Sequence, residues 1–285
     1  MSQDLPFDRM LRRLRRDRAA VAGIGDADYL HRLAADEMLD RLDLVKRDFR
    51  RVLHVGCGSP YLSEQLRARG MEVVSADSGF GFARAAGGVQ CDEDRLPFGD
   101  GLFDLVVSVG VLDSVNDLPG ALILIRRALK PDGLFLGAFA GAGSLPRLRA
   151  AMYAADEAEG GASPRIHPQI DVRSAGDLLT RAGFTLPVAD MIEVDIRFPS
   201  LFGLVADLRA MGATNVLASR GKPLSRRGIA AAASAFAEAA EEDGKTRERF
   251  EIVQLTAWSP SPDQPKPAKR GSGSASLAAV LGRRD

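Results

Sequence analysis

The rhythm of apolar and polar positions changes three times along this chain. Over residues 5–21, Phe7, Met10, Leu11, Leu14 and Val21 recur at roughly helical spacing, with Arg12, Arg13, Arg15, Arg16 and Arg18 among them. That spacing predicts an amphipathic helix whose arginines form a solvated face or a partner-binding surface. Asp26 is placed to cap a second helix over 27–45, with Leu30, Leu33, Met38, Leu42 and Val45 inward.

From residue 51 short apolar runs alternate with amphipathic segments. Residues 51–55 predict strand one. Ser59 and Pro60 suit a helix start and Gly70 a helix stop, so helix 60–69 is bracketed on both sides. Residues 71–76 form strand two, ending at Asp77, and a short helix near 80–86 leads to a weak strand three near 88–91. Residues 102–109 form strand four, 117–129 a helix, and 134–139 strand five. Strands separated by helices of this length imply right-handed crossovers and a parallel sheet.

After residue 140 helices near 145–159, 173–182, 200–211 and 225–240 dominate, with extended segments near 184–196 and 248–258. A last strand over 250–258 suits an antiparallel return. The expected organisation is an N-terminal helical segment (1–48), a sheet domain (49–258) carrying a helical insertion over about 141–247, and a Ser/Pro/Lys/Gly-rich tail (259–285).

Composition narrows the setting. Lys+Arg and Asp+Glu both number 38 in 285 residues, so net charge gives no argument for nucleic acid or an anionic membrane. No apolar run reaches the ~18 residues of a membrane span, and Asp4, Asp8 and Asp17 break any transit-peptide pattern. Two cysteines, Cys57 and Cys91, make no disulfide framework and read as thiols in a reducing compartment. The expectation is a cytoplasmic protein.

The chemistry concentrates at strand ends. Gly56, Cys57 and Gly58 form a Gly-x-Gly turn after strand one, where a backbone can approach a ligand. Tyr61 stands where a dinucleotide fingerprint needs a third small residue, which argues against NAD or FAD, and no phosphate-loop motif is present. Asp77, about 20 residues past the glycines, is placed to accept from ribose hydroxyls, or else to cap a helix. Asp92 ends strand three, with Glu93 beside it. A carboxylate there can accept from an adenine amino group, or else it is a solvated loop acid. No His/Cys/carboxylate spacing reads as a metal site.

Residues 52–58, Asp77, the run 92–98, 103–108 and 129–133 together resemble the class I S-adenosylmethionine-dependent methyltransferase pattern, over about 50–140. A narrower resemblance covers almost the whole chain. Phe7-Asp8-Arg9 with the basic helix, the runs 115–119 and 160–166, 182–184, 207–212 with Asn215, and Trp258 are similar to bacterial methyltransferase-like proteins related to the mitochondrial respiratory complex I assembly factor. That factor is reported to hydroxylate an arginine of a complex I subunit. The wider group also resembles the malonyl-carrier O-methyltransferase of biotin synthesis. The resemblance implies a Rossmann-like α/β fold with a seven-stranded, mainly parallel sheet, and S-adenosylmethionine as cofactor. It implies a cofactor site of His54, Gly56, Cys57, Gly58, Asp77, Ser78, Asp92, Glu93 and Val109.

Four departures fall on that pocket. His54 replaces the usual acid, Pro60 the third glycine, Leu112-Asp113-Ser114 the family's Leu-His-Trp, and residues 141–145 the family's Gly-Gly-Asp/Glu-Thr-Leu. They predict weakened cofactor affinity, with a scaffold-like role in reach. Asp113, Arg149, Arg165 and His167 are acceptor-side candidates if the helical segment caps the sheet; the two arginines could equally bridge helix ends. The leading expectation is methyl transfer to an unidentified protein or small-molecule acceptor. The alternatives are an arginine-modifying or a non-catalytic assembly factor for a complex I subunit.

Overall fold

The computed structural model describes residues 5–264. Two helices come first: α1 (Arg9–Ala22) and, after a short 3-10 turn, α2 (Tyr29–Leu44). The alternating region follows as β1 (Arg51–Val55), α3 (Tyr61–Ala68), β2 (Glu72–Asp77), α4 (Phe80–Ala85), β3 (Val89–Gln90), β4 (Phe103–Val109), α5 (Leu118–Ala128) and β5 (Leu129–Ala140). The remainder is α6 (Pro146–Glu159), α7 (Val172–Arg181), β6 (Thr185–Phe198), α8 (Leu201–Ala210), α9 (Arg226–Ala237) and β7 (Thr246–Trp258).

The strands form one seven-stranded sheet in the order β3-β2-β1-β4-β5-β7-β6. β1 to β5 are parallel, and β7 runs antiparallel between β5 and β6. The expected Rossmann-like α/β sheet is therefore present, with the antiparallel return of residues 250–258. Strand order reverses between β1 and β4, which opens a crevice at their carboxyl ends. The central strands are apolar on both faces. Val52 packs with Leu62 and Leu66 of α3, whereas Leu53 and Val55 pack with Leu122 and Ile125 of α5. Burial on both faces is why these strands read as unbroken apolar runs.

The stretch 141–247 carries α6, α8 and α9 against one face but also the 14-residue edge strand β6, so it is not purely helical. The start of α6 is capped from outside its own segment. Leu145 is left-handed (φ 62°) and offers no side-chain cap. Glu248 of β7 instead accepts from the backbone N–H groups of Arg147 (3.0 Å) and Leu148 (2.7 Å).

Two expectations about the N-terminal region are corrected. Asp26 does not cap α2; it lies in the 3-10 turn Gly25–Asp28, and α2 begins at Tyr29. The polarity of α1 is also inverted. Met10 and Val21 are 81% and 90% exposed, while Arg12 and Arg16 are only 6% and 4% exposed. Arg12 and Arg16 point into the protein and Arg13 reaches Asp92 from a half-exposed position, while Arg18 stays on the solvated side. The expected tail lies outside the described residues from 265 onward. No helix among the described residues is long and apolar enough to cross a membrane.

Candidate cofactor and acceptor site

The glycine turn after β1 has the backbone that its sequence implies. Gly56 has φ +85°, and a β-carbon there would meet the Val111 side chain at 2.5 Å, so only glycine fits. The turn is thereby pressed against the segment that follows β4. Cys57 is buried with its Sγ 3.8 Å from the Phe82 carbonyl, and burial, helped by the Asp77 charge, pushes its thiol up to about 12. A thiol so held is not a nucleophile at neutral pH.

The acids at the ends of β2 and β3 converge on the same crevice, and each meets an arginine of α1. Asp77 accepts from Arg16 through both oxygens (Nε to Oδ1 2.7 Å, Nη2 to Oδ2 2.6 Å), and its Oδ1 also accepts from the Gly79 N–H. Glu93 accepts from both terminal nitrogens of Arg12 (2.6 and 2.9 Å). Arg12 further donates to Ser78 Oγ (3.0 Å) and the Val111 carbonyl (3.2 Å). Asp92 accepts from Arg9 (3.1 Å) and Arg13 (2.7 Å), and Asp94 from Arg9. Arg9, Arg12, Arg13 and Arg16 are spaced i, i+3, i+4, i+7, so they share one helical face. Burial works against the Arg16 charge, but the Asp77 carboxylate outweighs it and holds the guanidinium protonated.

His54 is buried beside this crevice. Its Nδ1 lies 2.7 Å from Ser63 Oγ of α3, and its Nε2 has no partner. Burial lowers its pKa to about 4, so the ring is neutral at pH 7. A neutral imidazole carries no charge to repel a cationic ligand.

A glycine turn, then acids at two successive strand ends, matches in kind a ligand with vicinal hydroxyls and an amino-bearing base. The residues fit that group, and here both oxygens of Asp77 and of Glu93 are engaged by arginines of α1. Gly58 marks the overlap: a β-carbon there would stand 3.1 Å from Arg16 Nη2.

Next to the crevice is a cavity of about 630 Å³ at the carboxyl edge of β4 and β5. Its walls are mainly apolar, from α2, α6, α8, α9 and β7. The shared wall is the segment from Val109 to Asp113. Gly110 is left-handed (φ +69°), and a β-carbon on it would meet His31 Nε2 at 2.8 Å. His31 Nδ1 is buried without a partner, and burial together with the Arg16 charge lowers its pKa to about 4. Asp113 also lines the cavity, and burial raises its pKa to about 6 against the pull of Arg12.

Most of the expected residues come together. Gly56, Cys57, Gly58, Asp77, Ser78, Asp92 and Glu93 border the crevice, and Val109 lies on the wall it shares with the cavity. His54 packs toward α3. On the acceptor side Asp113, Arg165 and His167 line the cavity. Arg165, in the loop after α6, is bound to Asp156 of that helix (2.7 Å), and His167 Nε2 accepts from the Val216 N–H. Arg149 stands behind, donating to Gln169. The sequence reading missed His31 and the inward role of the α1 arginines. Four acids at 77, 92, 93 and 94 facing an i, i+3, i+4, i+7 row of arginines was the available signal.

Comparison with known proteins agrees with this geometry. A methyltransferase-domain family model matches residues 53–137. The mitochondrial arginine-hydroxylase NDUFAF5 of Danio rerio is 37% identical, across 95% of this chain and 88% of that protein. The malonyl-[acyl-carrier protein] O-methyltransferase of Methylovorus sp. is 34% identical, across 87% of this chain and 88% of its own length. Among solved structures, the YcgJ protein of Bacillus subtilis covers 81% of this chain and all of its own, with a TM-score of 0.57 at 13% identity, a likeness of fold. The chain belongs to the family of methyltransferase-domain proteins that includes the arginine-hydroxylase NDUFAF5 and the malonyl-[acyl-carrier protein] O-methyltransferase.

Proposed function

We propose that the protein is an S-adenosylmethionine-dependent methyltransferase whose acceptor enters the cavity beside Asp113. The observation that carries this reading is the shared wall: the segment from Val109 to Asp113 borders both the glycine-turn crevice and the cavity. Gly56, Gly58, Asp77 and Asp92 would hold the cofactor, which when bound supplies a methyl group on a sulfonium. The chain's own part is largely positioning, because an in-line displacement needs its two reactants aligned and little else. Apolar cavity walls keep water from the reacting atoms. Asp113 is the group able to take a proton from an acceptor hydroxyl or amine, since a carboxyl titrating near 6 is charged at pH 7 yet basic enough to matter. His31, held neutral against Gly110, lines the same cavity.

The unpaired thiols Cys57 and Cys91 support a reducing, cytoplasmic setting. A second reading is modification of an arginine on a partner protein, such as the respiratory complex I subunit that the family resemblance implies. The identity to an arginine-hydroxylase across 95% of the chain favours it, as does Asp113, a carboxylate suited to a guanidinium. Incubation with methyl-labelled cofactor and cell extract separates the readings. Label in a product supports transfer, and a gain of one oxygen on a partner's arginine supports the second.

A further inference from the structure

We propose that α1 is a latch on the nucleoside site: Arg12 and Arg16 take the acid contacts that a bound nucleoside would make, so the cofactor binds only when α1 swings away. The inference rests on the cofactor reading above and adds the control of access to it. Three observations carry it.

First, every oxygen of the two carboxylates is engaged by an arginine of α1. Asp77 spends both oxygens on Arg16 and Glu93 both on Arg12, and Ser78 Oγ is also used. The paired side chains are nearly sealed from solvent, at 5% and 0% exposure for Arg16 and Asp77 and 7% and 2% for Arg12 and Glu93. A planar guanidinium offers the same paired donors that vicinal hydroxyls would. Arg16 also lies over the Phe82 ring, 5.0 Å from its centre, so an aromatic face beside the turn is covered as well.

Second, Arg9, Arg12, Arg13 and Arg16 hold the inward face of α1 by ion pairs. Ala19 is its one buried apolar side chain, whereas Met10, Leu14 and Val21 are exposed. The apolar anchor lies at the start of the helix, where Leu11 packs beside Phe7, Val216 and Leu217, so the ion pairs further along can be exchanged for a competing ligand about that fixed end.

Third, Arg16 Nη2 stands 3.1 Å from the position that a β-carbon on Gly58 would take, so the guanidinium occupies the space that the glycine leaves beside the turn.

Calorimetric titration with S-adenosylhomocysteine and S-adenosylmethionine tests the latch. Three proteins are compared: the wild type, Arg12→Gln/Arg16→Gln, and an Ala19→Cys/Gly212→Cys staple. In the staple the β-carbons would stand 3.6 Å apart, within disulfide range. The expected result is binding about 5- to 150-fold tighter in the Gln pair than in the wild type, the usual span of such couplings. The oxidised staple should not bind, and reduction should restore binding. Where the Gln pair does not fold, the staple decides, with its reduced form as reference. Equal affinity in wild type and Gln pair, or undiminished binding by the oxidised staple, overturns the latch and leaves the cofactor reading standing. Binding by none of the three overturns the cofactor reading and the latch with it.

Discussion

Arg16 and Asp77 face each other across the crevice through two hydrogen bonds of 2.7 and 2.6 Å, both side chains almost wholly buried. The pair joins the first helix to the end of the second strand, 61 residues apart. Truncating one partner strands the other as a buried charge, which typically costs about 3–5 kcal/mol. Arg16→Ala is therefore expected to lower unfolding stability by about that much in urea. Arg16→Ala/Asp77→Ala should lose less than the sum of its single variants, a coupling readable from a double-mutant cycle.

Acid should destabilise the protein before its surface carboxylates titrate. The only three histidines, His31, His54 and His167, are held near 4 from an ordinary 6.5, mainly by burial. Between those values the unfolded chain binds more protons, so stability rises with pH and is lost as pH falls from 6.5 toward 4. Asp113 works the other way. Its pKa of about 6 exceeds the ordinary 3.8, so between these values the folded state keeps one extra proton. Near pH 5 three histidine protons less one carboxyl proton leave a net of about two, or about 1.4 kcal/mol per pH unit for each. His54→Gln should reduce the slope of stability against pH by about one proton, and Asp113→Asn should increase it by about one. Urea midpoints at a series of pH values read both.

Glu248 caps α6 from a distant strand, and its loss should be felt in the cavity roof. Burial raises its pKa, while the N–H groups of Arg147 and Leu148 favour its charge. Glu248→Ala leaves those donors without a partner and is expected to cost about 1–2 kcal/mol, the scale of a lost N-cap. Glu248→Gln keeps an acceptor and should recover part of it. Hydrogen exchange at the first turn of α6 is the local readout.

Gly56→Ala should be costly for a reason of space and of backbone. Its β-carbon would meet Val111 at 2.5 Å from a left-handed position. A loss of about 1–3 kcal/mol is expected from such overpacking. Gly56→Ala/Val111→Ala should recover the clash but not the backbone strain, a difference that thermal melts resolve.

How much of this was written in the sequence depends on whether the signal was local. The strands were legible because β1, β4 and β5 are buried on both faces and leave apolar runs. The turn was legible because Gly56 has no substitute. Asp77 and Asp92 could be placed because they end strands whose order the crossovers dictate. What faces them could not be placed the same way. The arginines of α1 were read as outward because charge usually faces water, yet 61 to 85 residues away lay the acids that reverse that preference. The placing of Asp26 fails for a local reason: a 3-10 turn takes residues 25–28, so α2 starts at Tyr29, with Asp28 before it bound to Arg32 four residues on (2.6 Å). Glu248 capping α6 could not be seen either, because the cap lies 100 residues from the helix start it serves.

Asp113 is where the chemical reading can be checked in rate. As the base at the cavity, its removal in Asp113→Asn should slow transfer by about 10²–10⁴-fold. The wild-type rate should fall as pH drops through about 6, where the carboxylate is protonated. The variant should lose that limb of the profile. A variant with unchanged rate and unchanged pH profile removes Asp113 from the chemistry.

The most direct measurement is the mass of the acceptor. Extract is incubated with the protein and methyl-labelled S-adenosylmethionine, and modified species are identified by mass spectrometry, with Asp113→Asn alongside. The expected result is a labelled product carrying one methyl in place of one hydrogen, formed by the wild type and strongly reduced with the variant. A partner that gains one oxygen and no label, or no labelled product at all, would contradict it.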